Sequence, residues 1–409
     1  MNELRKPGLL GPGADHKGSA APSQGEWRRA DPPAALSTMP HRDLTRLLGR
    51  CLAFDLDPSD LHRLRTQLLS SPDLWQELTD FATHEALVHA LERRLHARGL
   101  LPSQFLPGEA AAFAPDGQLR TAAAALSKRR EVLGEQLREI IKPLNRIGIQ
   151  PIILKGARSL LTGEPDWRYL RDFDLLIPDQ ADAAFAEFVA RGFEVPQAEQ
   201  GRNRRHHLPP LVRGDFPAFI EIHRRAGNQY VRTLLPTEEL AAASEAVEDG
   251  GVKFALLPTH LHTLYGLVHH QIGHAGDARG TISLKGLYEF AWELDRMTSA
   301  ERAALHARAN RNPRLSTALD AWIAAAAELY GLPVERPLAV REDAAQRWQA
   351  TFARIGEPRP WYKYPGYPDE VRMALAGSRI QVAPFGGNAA GRAWTRLRVL
   401  RSFLPRFTK

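Results

Sequence analysis

A single cysteine, Cys51, stands among 409 residues. It excludes an intramolecular disulfide and a Cys-rich zinc centre. Such thiol poverty fits a reducing compartment, so the expected location is cytoplasmic. Long apolar runs are missing too. The most apolar helical stretch, Leu319 to Leu332, is broken by Asp320 and Glu328 and is shorter than the roughly 20 residues a membrane span needs. The N-terminus is rich in Pro, Gly, Ala and Ser and lacks the continuous apolar core of a signal peptide. That composition predicts a disordered tail over residues 1–38. Acidic residues are outnumbered, 47 Asp and Glu against 54 Lys and Arg, for a formal net charge of +7. The excess favours phosphate-bearing partners, although aromatic side chains do not gather into a set that would stack on nucleic-acid bases.

What is present divides the chain by periodicity. From His41 to Ile147 apolar residues recur at helical spacing, with Ser59 and Ser71 as start signals and Gly99 and Gly148 as stops. Residues 39–148 are expected to form a helical N-terminal domain. Between Gln150 and Leu257 short β-like runs take over: "PIIL", "DFDLLIP", "FEV", "HHLPPLV" and "FIEIH", with one helix ending at Gly192. Residues 149–257 therefore read as an α/β core. Helical spacing returns after Pro258 and predicts a helical C-terminal domain over 258–385. Residues 386–409 form a basic amphipathic tail with six Arg and Lys between Arg392 and Lys409 and no acid. Such a segment can dock on its own protein, lie on an anionic membrane or meet nucleic acid. The fold class expected is α+β, a small mixed sheet flanked by helical domains.

Asp172 and Asp174 open an apolar strand, "DFDLL". Alternation puts both carboxylates on one face and Phe173 and Leu175 on the other. Two such acids repel each other and call for a cation or a metal, and magnesium is suited because it takes carboxylate oxygens together with phosphates. Upstream, Lys155 and Gly156 end an apolar run and begin a helical stretch, an arrangement able to receive a phosphate. Downstream, "FIEIH" offers Glu221, which can join the aspartates if its strand pairs with theirs, and His223 two residues on.

The order of these features resembles the polymerase-β-like nucleotidyltransferase superfamily, and within it a bacterial family of uncharacterised nucleotidyltransferases. The resemblance runs from about Ile152 to Phe290, through "LKG", Arg168-x-x-x-Asp172-x-Asp174-Leu175-Leu176, "HHLPPL", "IEIH", "LVHH" and "LKGLYEF". It implies Asp172, Asp174 and Glu221 as catalytic metal ligands for Mg2+ or Mn2+. It further implies Gly156 in a turn that faces a nucleoside triphosphate such as ATP; Lys155, Arg168 and His223 are expected, from their positions in the chain, to contact the nucleotide. The acceptor implied is a small molecule, peptide or protein. The sequence departs from the superfamily in carrying Ala157 after the glycine, where a serine is usual, and Glu289 where relatives often carry aspartate.

Two other functions stay open on sequence grounds. A non-catalytic nucleotide-binding protein could keep this fold with Ala157 in the turn. A metal-dependent phosphohydrolase could use His262, His269, His270 and His274, of which His270 and His274 are four residues apart on one helical face. No HExxH pattern supports the second, and cleft-lining or helix-packing roles for these histidines are the expectation. His206 and His207 follow the basic "GRNRR" and are expected on an exposed loop.

Overall fold

Leucine spacing before Gly99 builds four helices. The computed structural model describes residues 39–106, 114–200, 206–274 and 281–333, with positions 342, 346, 349, 350 and 352. The helices are α1 (His41–Leu52), α2 (Pro58–Leu69), α3 (Pro72–His84) and α4 (Val88–Ala97). Asp57, not Ser59, caps α2, because its side chain accepts from Asp60 N at 2.7 Å. Ala86, with φ of 58°, splits what reads as one helix into α3 and α4, and Leu87 N closes the turn on Ala82 O at 2.7 Å. Helix α5 (Gly117–Arg146) then spans 30 residues and ends at Gly148, whose φ is 76°.

Five strands follow: β1 (Ile152–Ile153), β2 (Asp172–Leu176), β3 (Phe219–His223), β4 (Glu245–Asp249) and β5 (Val252–Leu256). Their order is β3-β2-β1-β5-β4. Parallel pairs β2–β3 and β1–β5 alternate with antiparallel pairs β1–β2 and β4–β5, so the sheet is mixed. Helices α6 (Ala157–Thr162), α7 (Ala181–Ala190), α8 (Gln229–Leu234) and α9 (Thr237–Ala243) connect them. Two expected strands are reduced to isolated bridges, Glu194 with Val212, His207 with His223, and Leu211 with Ile220. Pro209 and Pro210 lack the N–H that a continuous ladder needs. The β4–β5 hairpin escapes the sequence pattern because "EAVED" carries three acids and is exposed along nearly its whole length. It turns on Gly250 and Gly251, whose φ values of 57° and 74° suit a two-residue hairpin loop.

The sheet has two buried faces. Phe173, Leu175, Ile220, Ile222 and Phe254 pack against Leu137, Ile141 and Leu144 of α5 and Phe188 of α7. Ile152, Leu154, Leu176 and Ala255 point the other way, into a larger helical core. That core includes α10 (Thr259–Leu267), α11 (Leu284–Arg296), α12 (Ser299–Ala309) and α13 (Pro313–Tyr330). It also takes in Leu48 and Cys51 of α1, so helices before and after the sheet are packed together. Gly49 comes so close to α13 that a Cβ there would lie 2.6 Å from the Leu329 carbonyl oxygen. Burial of Trp322 and Tyr330 contributes on the order of 1.5–3 kcal/mol each by area. No helix among the described residues is long and apolar enough to cross a membrane. The expected tails, 1–38 and 386–409, lie outside the described residues, as does 353–385.

Candidate active site

Strand alternation turns Asp172 and Asp174 away from α5, toward the helical core. The parallel register of β2 and β3 sets Asp174 beside Glu221 and Leu176 beside His223. One ligand atom from each of Asp174, Glu221 and His223 then lies within 4.8 Å of the others. Asp174 is 1% exposed, and its Oδ1 accepts from Lys155 Nζ at 2.7 Å and from His223 Nε2 at 2.8 Å. The same His223 nitrogen lies 3.7 Å from Glu221 Oε2. The buried Nδ1 of His223 has no hydrogen-bond partner among the described residues. Two carboxylates and an imidazole whose Nε2 faces both fit a divalent ion, so this trio could hold one. Asp172 stands outside the trio, half-buried at the mouth of the strand.

Charge within this group is unevenly shared. Burial would raise the Asp174 pKa, but Lys155 and His223 hold its carboxyl well below the usual range. Burial and then Asp174 push the Asp172 carboxyl up to about 6, against the pull of Lys155. Burial would raise the Glu221 pKa, but the nearby His223 and Lys155 together lower it. Burial would lower the His223 pKa, but its hydrogen bond to Asp174 and the nearby Glu221 together raise it. Mutual repulsion between the two aspartates thus falls almost entirely on Asp172.

A pH-dependent stability difference follows for Asp172→Asn. An acid whose folded pKa is raised contributes stability that is fully present below its unfolded pKa and is lost as pH rises through the folded one. With a folded value of about 6, wild type loses that contribution between roughly pH 4 and 6. The variant does not titrate there. Asp172→Asn should therefore be more stable than wild type at pH 8, by on the order of 1–3 kcal/mol, and no more stable at pH 4. Denaturant melts at the two pH values check this. A variant no more stable than wild type at pH 8 would show that Asp172 carries no such penalty.

Lys155 reaches Asp174 from a left-handed backbone, with φ of 49°. For a residue with a Cβ this conformation costs about 1 kcal/mol or more and must be held in place. Neighbouring contacts hold it. Leu154 N donates to Asp174 O at 3.0 Å, and the Lys155 carbonyl oxygen lies 3.2 Å from His262 Nε2. Gly156 has no room for a side chain: a Cβ would sit 2.3 Å from Leu170 Cδ2 and 3.1 Å from Arg168 Nε. Arg168 is almost buried and lies 2.9 Å by Nε from Glu289 Oε1, which Lys285 Nζ also approaches at 2.7 Å. The structure therefore brings Lys155, Asp174, Glu221 and His223 together, while Arg168 joins Glu289 and Lys285.

The remaining histidines are distributed. His262 Nδ1 meets Glu293 Oε1 at 2.9 Å, and Thr263 Oγ1 donates to Glu293 Oε2 at 2.5 Å. Burial would raise the Glu293 pKa, but these partners hold it near about 2. A π-helical turn, Val268–Gly273, carries His269 and His270. His270 fills the space over Gly286, where a Cβ would lie 2.7 Å from its ring, and stacks on Trp322. Among the described residues, Asp174, Glu221 and His223 form the one group of three with metal-ligand spacing. The His207 ring lies 5.4 Å from that of His223. His207 is buried, its Nδ1 2.7 Å from the Leu208 carbonyl oxygen, whereas an exposed loop was expected.

Sequence reasoning passed over Lys285 and Glu293. A signal existed, because Lys285, Glu289 and Glu293 recur every four residues along α11 and so share one face. Packing of α11 against α10 and α13, not spacing, buries these positions.

Comparison with known proteins agrees with the order of these motifs. A family model described as "Uncharacterised nucleotidyltransferase" matches residues 71–331. The match covers α3 through α13 and includes every residue of the acidic group. No curated protein matches the chain. With well over half of its length matched, the chain belongs to the uncharacterised nucleotidyltransferase family.

Proposed function

We propose that the protein transfers a nucleoside monophosphate from a nucleoside triphosphate, such as ATP, to a hydroxyl or similar group on a small molecule, peptide or protein. One observation carries this reading: the β2–β3 register sets Asp174 beside Glu221 on a face that also receives Lys155 and His223. Family membership supports it.

Asp174, Glu221 and His223 would hold a divalent ion, Mg2+ or Mn2+, which supplies positive charge against the phosphates and the departing pyrophosphate. Lys155 brings a second cation to the same group, able to bind a phosphate oxygen once it leaves Asp174. Asp172, with its carboxyl near about 6, suits a general base for the acceptor. In that step the acceptor oxygen bonds to the α-phosphorus, the bond from phosphorus to the β-phosphate oxygen breaks, and the acceptor proton passes to Asp172. Gly156 and Arg168 shape the turn that presents Lys155, the arginine through its contact with Glu289.

Titration with each nucleoside triphosphate in magnesium, in manganese and in chelator, followed by an assay of pyrophosphate release with candidate acceptors, tests the proposal. Metal-dependent binding that persists in Asp172→Asn, together with pyrophosphate release that disappears in it, is the expected result. Binding without release for any acceptor would favour a non-catalytic nucleotide-binding protein. Absence of binding would end the proposal.

A further inference from the structure

A cavity of about 300 Å3 is lined by Arg168 but by none of Lys155, Asp172, Asp174, Glu221 and His223. It is of small-molecule size. Arg158, Arg168, Arg296 and Trp292 line it, with Glu293 and Glu301. Two of its acids are already engaged. Glu293 is held by His262 and Thr263, and Glu301 accepts from Thr298 N and Oγ1, each at 2.9 Å, in the capping box of α12. A third acid, Glu164, is exposed at the rim, 3.9 Å from Arg296.

The arginines are less fully used. Arg158 makes one hydrogen bond among the described residues, from Nη1 to the Leu257 carbonyl oxygen at 2.6 Å. Four of its five N–H donors are left over. Arg168 lies 2.9 Å by Nε from Glu289. Arg296 lies over the Trp292 ring at 4.0 Å, and its acid contacts are loose, at 3.6 and 3.9 Å. Beside these a further half-buried guanidinium, Arg130, donates to the oxygens of Ser159. Arg168 repels both Arg130 and Arg158. Like charges held this close in a half-buried space are relieved by an anion between them, and a guanidinium matches the oxygens of a carboxylate or phosphate in pairs.

We propose that this cavity is a second ligand site, for a small organic acid whose carboxylate or phosphate is held by Arg158 and Arg168 and whose apolar body lies along Trp292. The site goes beyond the transfer reaction and does not depend on it. His262, Glu293 and Arg168 form the wall between this cavity and a smaller one, of about 30 Å3, beside Lys155.

Calorimetric titration of the full chain, in chelator and without nucleotide, provides the test. Phenyl phosphate and benzoate serve as probes, one for each source of the oxyanion. Saturable binding of one molecule per chain is expected for at least one probe, and the preferred probe names the acid. Arg158→Gln should weaken it tenfold or more, and Arg296→Ala, at an exposed position, should weaken it severalfold while melting as wild type does. Lys155→Met should leave it unchanged. Binding that survives both arginine substitutions would overturn the proposal, as would absence of saturable binding. Binding lost in Lys155→Met but kept in Arg158→Gln would place the anion at the acidic group and overturn it equally.

Discussion

Asp174→Asn should cost both activity and stability. Its carboxylate joins β2 to Lys155 and His223 through one oxygen, and it lies beside Glu221 in the neighbouring strand. An asparagine keeps the shape and loses the charge. Lys155 would then be left in a largely buried position with its principal counter-charge gone, a change that typically costs about 3–5 kcal/mol. The sign with pH is the opposite of that at Asp172. An acid held below its ordinary pKa contributes stability that is present above the unfolded value and is lost as pH falls toward the folded one. The difference between Asp174→Asn and wild type should therefore be full at pH 7 and diminish below roughly pH 4. Transfer, measured as pyrophosphate release, should fall by on the order of a hundredfold or more, because one member of the trio loses the charge that attracts a metal. A variant that melts like wild type at pH 7 and keeps its activity would remove Asp174 from the centre of the site.

Placed side by side, Asp172→Asn and Asp174→Asn should move stability in opposite directions at pH 8. That contrast was not readable from "DFDLL". Alternation alone puts both acids on one face and treats them as an equivalent repelling pair. What separates them is Lys155, which lies 19 residues from Asp174 in the chain and reaches it only because the turn after β1 adopts a left-handed backbone. The fold class was legible because periodicity changes sharply at Gln150 and again at Pro258. So was the shared face of Asp172 and Asp174. Pairing of β2 with β3 needed the structure: parallel register depends on how a 42-residue connection between Leu176 and Phe219 packs, and no local pattern states it. The β4–β5 hairpin was illegible for a plainer reason. Its outer strand is exposed along nearly its whole length, so nothing demands alternating apolar residues there.

Lys155→Met should show what the lysine does for the acids around it. Burial on its own would lower the pKa of this ammonium, yet Asp174 and, after it, Tyr265, Asp172 and Glu221 raise it instead, so it stays charged at neutral pH. Without it, three carboxylates face one histidine. Their repulsion should destabilise the protein by on the order of 3–5 kcal/mol at pH 8, and the left-handed backbone at this position would remain to be held. Lowering the pH lets the acids take up protons, so the loss should shrink toward pH 5. A divalent ion offers a second route to the same relief. If Asp174, Glu221 and His223 hold magnesium or manganese, adding either should raise the melting temperature of Lys155→Met more than that of wild type, where the ammonium already neutralises Asp174. Thermal melts of both proteins at pH 5 and 8, with metal and with chelator, separate the possibilities. A stability loss that is the same at both pH values and indifferent to metal would mean that Lys155 acts through packing alone, and that the acidic group needs no cation.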